Sequence, residues 1–378
     1  MIAIFANGFG ENAIAGKVAG VLSNNGCKVL VFPLVGKLTI NGVEVPFVPK
    51  RTGSGGLTLS SLSNFIKDLR EGVFLDLFRF IKTIRSYSNI KVAFVVGDPF
   101  LLFLVKSFVR GKPKIVFNSI YKSEIVEKHL WFEKYFIKKF VDYFVPRDRI
   151  TAEYFIRFGV NTVYFGNPMV DAIDFNNRDF RKDKNLKTLL LLPGSRESAY
   201  KVMVKFLCIV ESVFRKYGFL NFLCPLSSSI SVDILGSVVR NYGWDLETSD
   251  EIIVIKKDII EVICAYNSFG DMMVVSDVVL SFSGTATEQA AGFGKPNIMF
   301  FDKEVGWSRK WFDRQKILLG DNLKLFDRFN ISEISNEIIY LLTNNKERER
   351  RGNIGKKLIE GIGSIERISK FLINLLDD

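Results

Sequence analysis

Two short strings in the second half of the sequence hold residues suited to gripping a diphosphate. Leu192-Pro193-Gly194-Ser195-Arg196 closes an apolar run. It offers the backbone amides of Gly194 and Ser195 and a guanidinium able to engage two phosphate oxygens at once. Ser281-Phe282-Ser283-Gly284-Thr285-Ala286-Thr287-Glu288-Gln289 leaves another apolar run and enters a helix-like segment. Small residues at Ser283, Gly284 and Ala286 let the backbone approach a diphosphate, and Thr285 and Thr287 add hydroxyl donors. Glu288 or Gln289, one turn on, can reach sugar hydroxyls. Either string alone also fits a capped helix start. Two in one half, each at the carboxyl end of a strand, point to a ligand.

The first half carries a weaker glycine string, Gly8-Phe9-Gly10-Glu11-Asn12-Ala13, between a strand and a helix. Its form is that of a dinucleotide fingerprint, but the second strand ends in Phe32-Pro33-Leu34 without the acid that would bind a ribose. A P-loop also fails, because Gly10 and Gly16 are one residue too far apart and Val18 follows Lys17. A tight strand-to-helix turn accounts for these glycines as well as a ligand does. Group transfer also needs a base, and two carboxylates are placed for it. Asp98 follows an apolar strand and precedes Pro99, and Glu11 opens the first helix. A turn-forming aspartate and a favourable charge at a helix start are the plain alternatives.

The elements that must position these residues alternate. Ile2 to Ala6, Lys28 to Leu34, Val92 to Val96 and Lys114 to Asn118 read as strands, and Glu11 to Asn24 reads as a helix. The polar stretch 174–187 reads as a linker, after which the pattern restarts. Strands are expected at Thr188 to Leu192, Phe219 to Leu223, Glu251 to Ile255, Val278 to Phe282 and Pro296 to Phe301, with a helix over Val202 to Tyr217 and a helical end over Lys346 to Leu376. Such alternation predicts an α/β chain of two doubly wound parallel-sheet domains. The boundaries expected are 1–173, a linker at 174–187, 188–355, and a final helix at 356–378. Arg51 to Ser63, rich in glycine and serine, reads as a mobile loop.

Two predicted helices mix aromatic and basic residues. Phe65 to Arg85 interleaves Phe74, Phe78 and Phe80 with Lys67, Arg70, Arg79 and Lys82. Leu130 to Phe144 interleaves Trp131, Phe132, Phe136 and Phe140 with Lys134, Lys138 and Lys139. Such helices either bury one stripe and solvate the other, or lie in a lipid interface.

Composition narrows the partners. The formal charge of +11 calls for an anionic one, and the 35 phenylalanines imply heavy aromatic burial. Nucleic acid is not expected, for lack of a recognisable motif or a concentrated basic tract. Four cysteines without a C-x-x-C pair and a single histidine, His129, give no zinc site. Met1 leads straight into an apolar run with no basic n-region, and no apolar run is long enough to span a bilayer, so a cytoplasmic protein is expected, soluble or peripheral at the inner membrane face.

In this order and at this spacing, the motifs resemble those of the lipid A disaccharide synthases, and more closely those of the group named lipid-A-disaccharide-synthase-related proteins. The marks are Asn7 to Asn12, Pro33-Leu34-Val35-Gly36, Ser54-Gly55-Gly56, Asp68-Leu69-Arg70, Gly97-Asp98, Lys122-Ser123, Pro146-Arg147-Asp148, Gly166 to Asp171, Pro193 to Arg196, and Ser283 to Gln289 followed by Gly294-Lys295-Pro296. The resemblance implies a GT-B fold, two Rossmann-like domains facing a cleft, with the donor nucleotide in the second and the acceptor against the first. It also implies inverting transfer of a sugar from a UDP-sugar such as UDP-GlcNAc or an acylated derivative, without metal or cofactor, to a lipid-linked or sugar-phosphate acceptor. Gly194, Ser195, Arg196 and Ser283 to Gln289 would then hold the donor. Gly8, Gly10 and Asn12 would lie on the acceptor side, Asp98 or Glu11 would be the base, and an anionic membrane surface would be a further partner. Phe9 and Asn12 stand where the related group usually has histidine and aspartate, so no histidine base is available at the first helix. A UDP-sugar 2-epimerase and a nucleotide-sugar-binding protein without turnover are the alternatives.

Overall fold

Uninterrupted apolar runs become parallel strands when helices cover both faces of their sheet, since neither side then needs polar residues. Four such runs and one with polar ends form the strands of the first half: Ile2–Ala6 (β1), Val29–Pro33 (β2), Val92–Gly97 (β3), Lys114–Ser119 (β4, apolar only over 115–117) and Tyr143–Pro146 (β5). The computed structural model describes residues 1–49 and 73–377. The 51–63 loop, the motifs Ser54-Gly55-Gly56 and Asp68-Leu69-Arg70, and the first part of the 65–85 helix with Lys67 lie outside the described residues.

The chain forms two units, residues 1–172 with 361–378, and residues 173–360. In the first, all strands pair in parallel in the order β2-β1-β3-β4-β5. Alternate residues of β1 enter opposite cores. Ile2, Ile4 and Ala6 pack with Ile14, Val18 and Leu22 of the helix Phe9–Asn24 and with Ile365, Ile368 and Leu372 of the last helix, Ser364–Asp377. Ala3 and Phe5 pack with Phe32, Phe80, Ile84, Leu101 and Phe117. Many of the phenylalanines therefore serve as core volume.

In the second unit the strands are Thr188–Leu192 (β6), Asn221–Leu226 (β7), Asp245–Ser249 (β8), Ile252–Lys257 (β9), Ile260–Tyr266 (β10), Val278–Ser281 (β11), Asn297–Phe300 (β12) and Leu323–Phe326 (β13). They form one eight-stranded sheet, β13-β12-β11-β6-β7-β10-β9-β8. It is parallel except for β9 and β8, which fold back antiparallel at one edge through turns where Asp258 and Asp250 hold positive φ.

Four expectations need correction. The 130–144 segment is not one helix: Trp131–Phe140 is helical, and Tyr143 and Phe144 enter β5. The charged end, 346–376, breaks in two, because Glu360 turns left-handed at φ 43° and closes the helix Asn345–Ile359. Asp171 then caps the last helix, accepting from Gly363 N (3.0 Å), Ser364 Oγ (3.1 Å) and Ile365 N (3.0 Å). The unit boundary falls here, after Glu360, rather than at 355. The 174–187 stretch is no free linker either. It lies within the second unit, where Phe180 is buried and Asp271 accepts from Asn176 N at 2.8 Å and Asn177 N at 3.0 Å.

Candidate functional site

In an open parallel sheet, ligands settle where the chain reverses its direction of winding, because the loops on either side of that point diverge and leave a crevice. In the second unit the winding runs from β6 to β7 and β10 on one side and from β11 to β13 on the other, so the reversal lies between β6 and β11. Those two strands carry the two candidate strings at their carboxyl ends.

The loops are laced together. Phe282 N donates to Leu192 O at 2.7 Å, and Gly194, at φ +99°, lies so close that a Cβ there would sit 3.2 Å from Phe282 O. Ser229 Oγ donates to Ser195 O at 2.6 Å and fixes the first loop from the β7 side. Between them lies a cavity of about 270 Å³, lined by Pro193, Gly194 and Ser195, by Ser283 and Ala286, and by residues from the loops after β7 and β10. The helix Thr285–Gly292 starts at its edge, with Gly284 at the cap and no side chain satisfying the first amides.

The sequence-derived residues divide into three groups. Gly194, Ser195, Ser283 and Ala286 line the cavity, and Gly284, Thr285, Glu288 and Gln289 stand on the adjoining cap and first helical turn. Thr287 does not face a ligand. It is fully buried, with its hydroxyl bonded to Ser281 Oγ and Ser283 O, so it braces the loop. Arg196 is exposed, and its guanidinium lies over the Trp307 ring at 4.7 Å. Among the described residues it forms no ion pair.

Sequence reading missed the other walls, Ser227 and Ser228 after β7 and Asn267, Ser268 and Phe269 after β10. The serine run after Pro225 was the available signal for the first. Asn267 holds φ 49°, a left-handed conformation that asparagine tolerates better than most residues. Its carbonyl accepts from Arg178 Nη2 (2.5 Å) and Asn176 Nδ2 (2.9 Å), so the 174–187 stretch pins this wall.

The first unit has its own reversal, between β1 and β3, and both candidate carboxylates sit there. Asp98 caps the helix Pro99–Phe108, accepting from Leu101 N at 2.9 Å. Burial pushes its pKa up, and bonds from Leu101 N–H, the Asn7 side chain and Phe100 N–H offset part of that rise. Glu11 is raised first by burial, and the Asp98 carboxylate raises it further. The pair thus shares one electrostatic environment. Gly10 packs against Met169, where a Cβ would lie 2.8 Å from the Met169 methyl, and Gly8 leaves room for the folded-back Glu11 carboxylate. Asn12 is buried with Nδ2 bonded to Val35 O at 2.7 Å, so it ties the first helix to the turn after β2. Phe9 is 62% exposed beside them.

Exposed apolar side chains lie on the segments that follow β3 and β4. The helix Trp131–Phe140 buries Ile137 but leaves Trp131 (77%), Phe132 (51%) and Tyr135 (65%) exposed, and Phe100, Phe103 and Tyr121 are exposed nearby in sequence from β3 and β4. The helix Val73–Arg85 likewise buries Phe80 and Ile84 and exposes Leu75 and Phe78. Among the described residues no helix is long and apolar enough to cross a membrane.

Residues 137–303 match the family described as lipid-A-disaccharide synthetase. Lipid-A-disaccharide synthase 2 of Legionella pneumophila (strain Lens) is 27% identical over 188 residues, which are 47% of this chain and 44% of that protein. The match thus spans less than half the length of that relative. Among solved structures, a calicheamicin glycosyltransferase superposes with a TM-score of 0.62 at 11% identity, covering 100% of this chain and 98% of the other. The UDP-GlcNAc 2-epimerase of Neisseria meningitidis, solved with UDP-GlcNAc, gives 0.60 at 13% identity, covering 99% and 100%. At such identities these likenesses show the fold alone, and that fold is GT-B.

Proposed function

We propose that this chain, a GT-B protein related to the lipid A disaccharide synthases, transfers a hexosyl group from a UDP-sugar to a lipid-linked or sugar-phosphate acceptor. The observation that carries the reading is the meeting of the β6 and β11 loops around one cavity at the winding reversal, with helix-start amides at its edge and, on the residue after the lining Ser195, the Arg196 guanidinium, which forms no ion pair among the described residues. A leaving diphosphate needs that kind of preset charge stabilisation.

The second unit holds the donor. Amides of Gly284 and Thr285 at the cap and the Arg196 guanidinium meet the diphosphate charge, and Glu288 or Gln289 holds the sugar or ribose hydroxyls. In the first unit Asp98 takes the proton of the acceptor hydroxyl, with Glu11 as its neighbour. The oxygen attacks the anomeric carbon opposite the diphosphate, the bond to UDP breaks, and the configuration inverts. No metal enters these steps. The exposed rings of Trp131, Phe132 and Tyr135, with lysines among them, support contact with an anionic lipid surface.

Calorimetry with UDP and UDP-GlcNAc, followed by product analysis with and without lipid acceptors, tests the reading. Saturable UDP binding and an acceptor-dependent product are expected. A chain that binds no uridine nucleotide, or that epimerises the donor with no acceptor present, sinks it.

A further inference from the structure

Arg196 follows a glycine turn and is exposed, so its own flexibility would scatter the guanidinium over many positions. An arginine side chain carries about 2 kcal/mol of rotamer entropy, and affinity for an anion improves when that freedom is removed beforehand. No carboxylate holds Arg196 among the described residues, which leaves its charge available. A tryptophan holds it instead.

We infer that Trp307 is a positioning residue that sets Arg196 in place for the donor diphosphate. This rests on the donor reading above. Trp307 lies after β12, in a segment no motif marks. Three contacts define its place. The Arg196 guanidinium stacks over its ring at 4.7 Å. Its indole N–H donates to Ser198 Oγ at 3.2 Å, on the first residue of the helix Ser198–Tyr217, two positions beyond the arginine. Its ring also lies 4.4 Å from that of Trp311. Trp311 in turn stands against the second loop, because a Cβ on Gly284 would lie 3.7 Å from its ring. The indole pair therefore joins the turn bearing Arg196 to the cap of the helix Thr285–Gly292, and fixes the guanidinium relative to the amides that share its ligand. A cation over an indole face keeps its positive charge while losing its freedom, whereas a carboxylate partner would cancel the charge the anion needs.

A double-mutant cycle with UDP as the probe tests this, read by calorimetry with a thermal midpoint for each variant. Trp307→Ala is expected to weaken UDP binding by about three- to thirtyfold in the native background, and by less than about twofold when Arg196→Ala is already present. Trp307→Phe keeps a ring face and loses the N–H, so it is expected to stay within about threefold of the native chain. Equal losses from Trp307→Ala in both backgrounds, or a loss from Trp307→Phe as large as that from Trp307→Ala, would overturn the inference while leaving the donor site standing. Failure of the native chain to bind UDP, or an Arg196→Ala variant that binds it unchanged, would overturn both.

Discussion

Gly194 lies backbone to backbone against Phe282, with room of only 3.2 Å between the place of a Cβ and the Phe282 carbonyl oxygen, and with φ at +99°. The contact is what brings the β6 and β11 loops to one cavity. A side chain at 194 would meet a fixed backbone atom and an unfavourable dihedral together, a strain of about 1–3 kcal/mol.

Gly194→Ala is therefore expected to separate the loops. UDP affinity should fall by about tenfold or more, with a lower thermal midpoint, since each ~1.4 kcal/mol is a factor of ten. Unchanged UDP affinity in a folded Gly194→Ala protein would show that the junction does not shape the site.

Asp98 combines a structural and a chemical position, and the two separate in one substitution. Asp98→Asn keeps an oxygen to accept from Leu101 N, so the helix cap survives. Turnover is expected to drop by about 10²–10⁴-fold, with donor binding unchanged. The stability effect has a definite sign. Asp98 titrates above its ordinary value, so the folded chain binds a proton more tightly than the unfolded one, and stability declines as pH rises from about 4 through the raised pKa. Asp98→Asn removes that loss. Its thermal midpoint at pH 7 should equal or exceed that of the native protein, the difference vanishing below about pH 4. A variant that is fully active would remove Asp98 from the mechanism.

The neighbouring carboxylate offers a second reading of the same pair. The charge of Asp98 helps to raise Glu11, so Asp98→Asn should let Glu11 titrate lower. Carbon-detected NMR of the Glu11 carboxyl would follow this, and an unmoved titration would mean the two groups do not interact.

How much of this was legible in the sequence depended on what each residue answers to. Ile2 to Ala6 and Thr188 to Leu192 were read to the residue, because a strand buried on both faces announces itself as an unbroken apolar run. Leu130 to Phe144 was misread because its aromatic residues serve two elements, and only pairing with β4 draws Phe144 into a strand. At the site, the cavity-lining roles of Gly194 and Ser283 followed from local chemistry, small residues at strand ends. Thr287 looked the same in sequence, and only the helix turn that directs it inward toward Ser281 decides its fate. Trp307 had no local signal at all, since its importance comes from Arg196, far away along the chain.

The single histidine gives a clean internal probe. His129 is buried, Nδ1 lies 3.0 Å from Glu124 Oε1, and Nε2 lies 3.2 Å from Ser119 Oγ. Burial lowers its pKa and outweighs the opposing pull of Glu124. The folded chain then binds fewer protons here than the unfolded one, so this group's stabilisation is present above about pH 6.5 and is lost as pH falls. The imidazole resonance should titrate below 6.5, and His129→Gln should flatten the acid side of the stability curve relative to the native chain. Asp98 and Glu11 act in the opposite sense, which is why the difference between the two proteins is the quantity to read. A His129 resonance titrating above 6.5 would refute the assignment.

The exposed rings of the first unit lead to the last expected outcome. Trp131, Phe132 and Tyr135 share the first turns of one helix, whose next turn exposes Lys138 and Lys139, while Lys134 is held inward by Glu124 at 2.8 Å. Rings at the surface with cations spread among them suit the headgroup boundary of an anionic bilayer. Flotation with vesicles containing an anionic phospholipid should carry the protein upward at low salt and less so at high salt. Replacing Trp131 and Phe132 together by serine removes two large apolar side chains, each worth about 1–2 kcal/mol when buried in part, so partitioning should fall by roughly tenfold or more. Donor binding in the second unit should stay unchanged, because both rings belong to the first unit. Equal flotation of the native and doubly substituted proteins would show that these rings do not meet lipid.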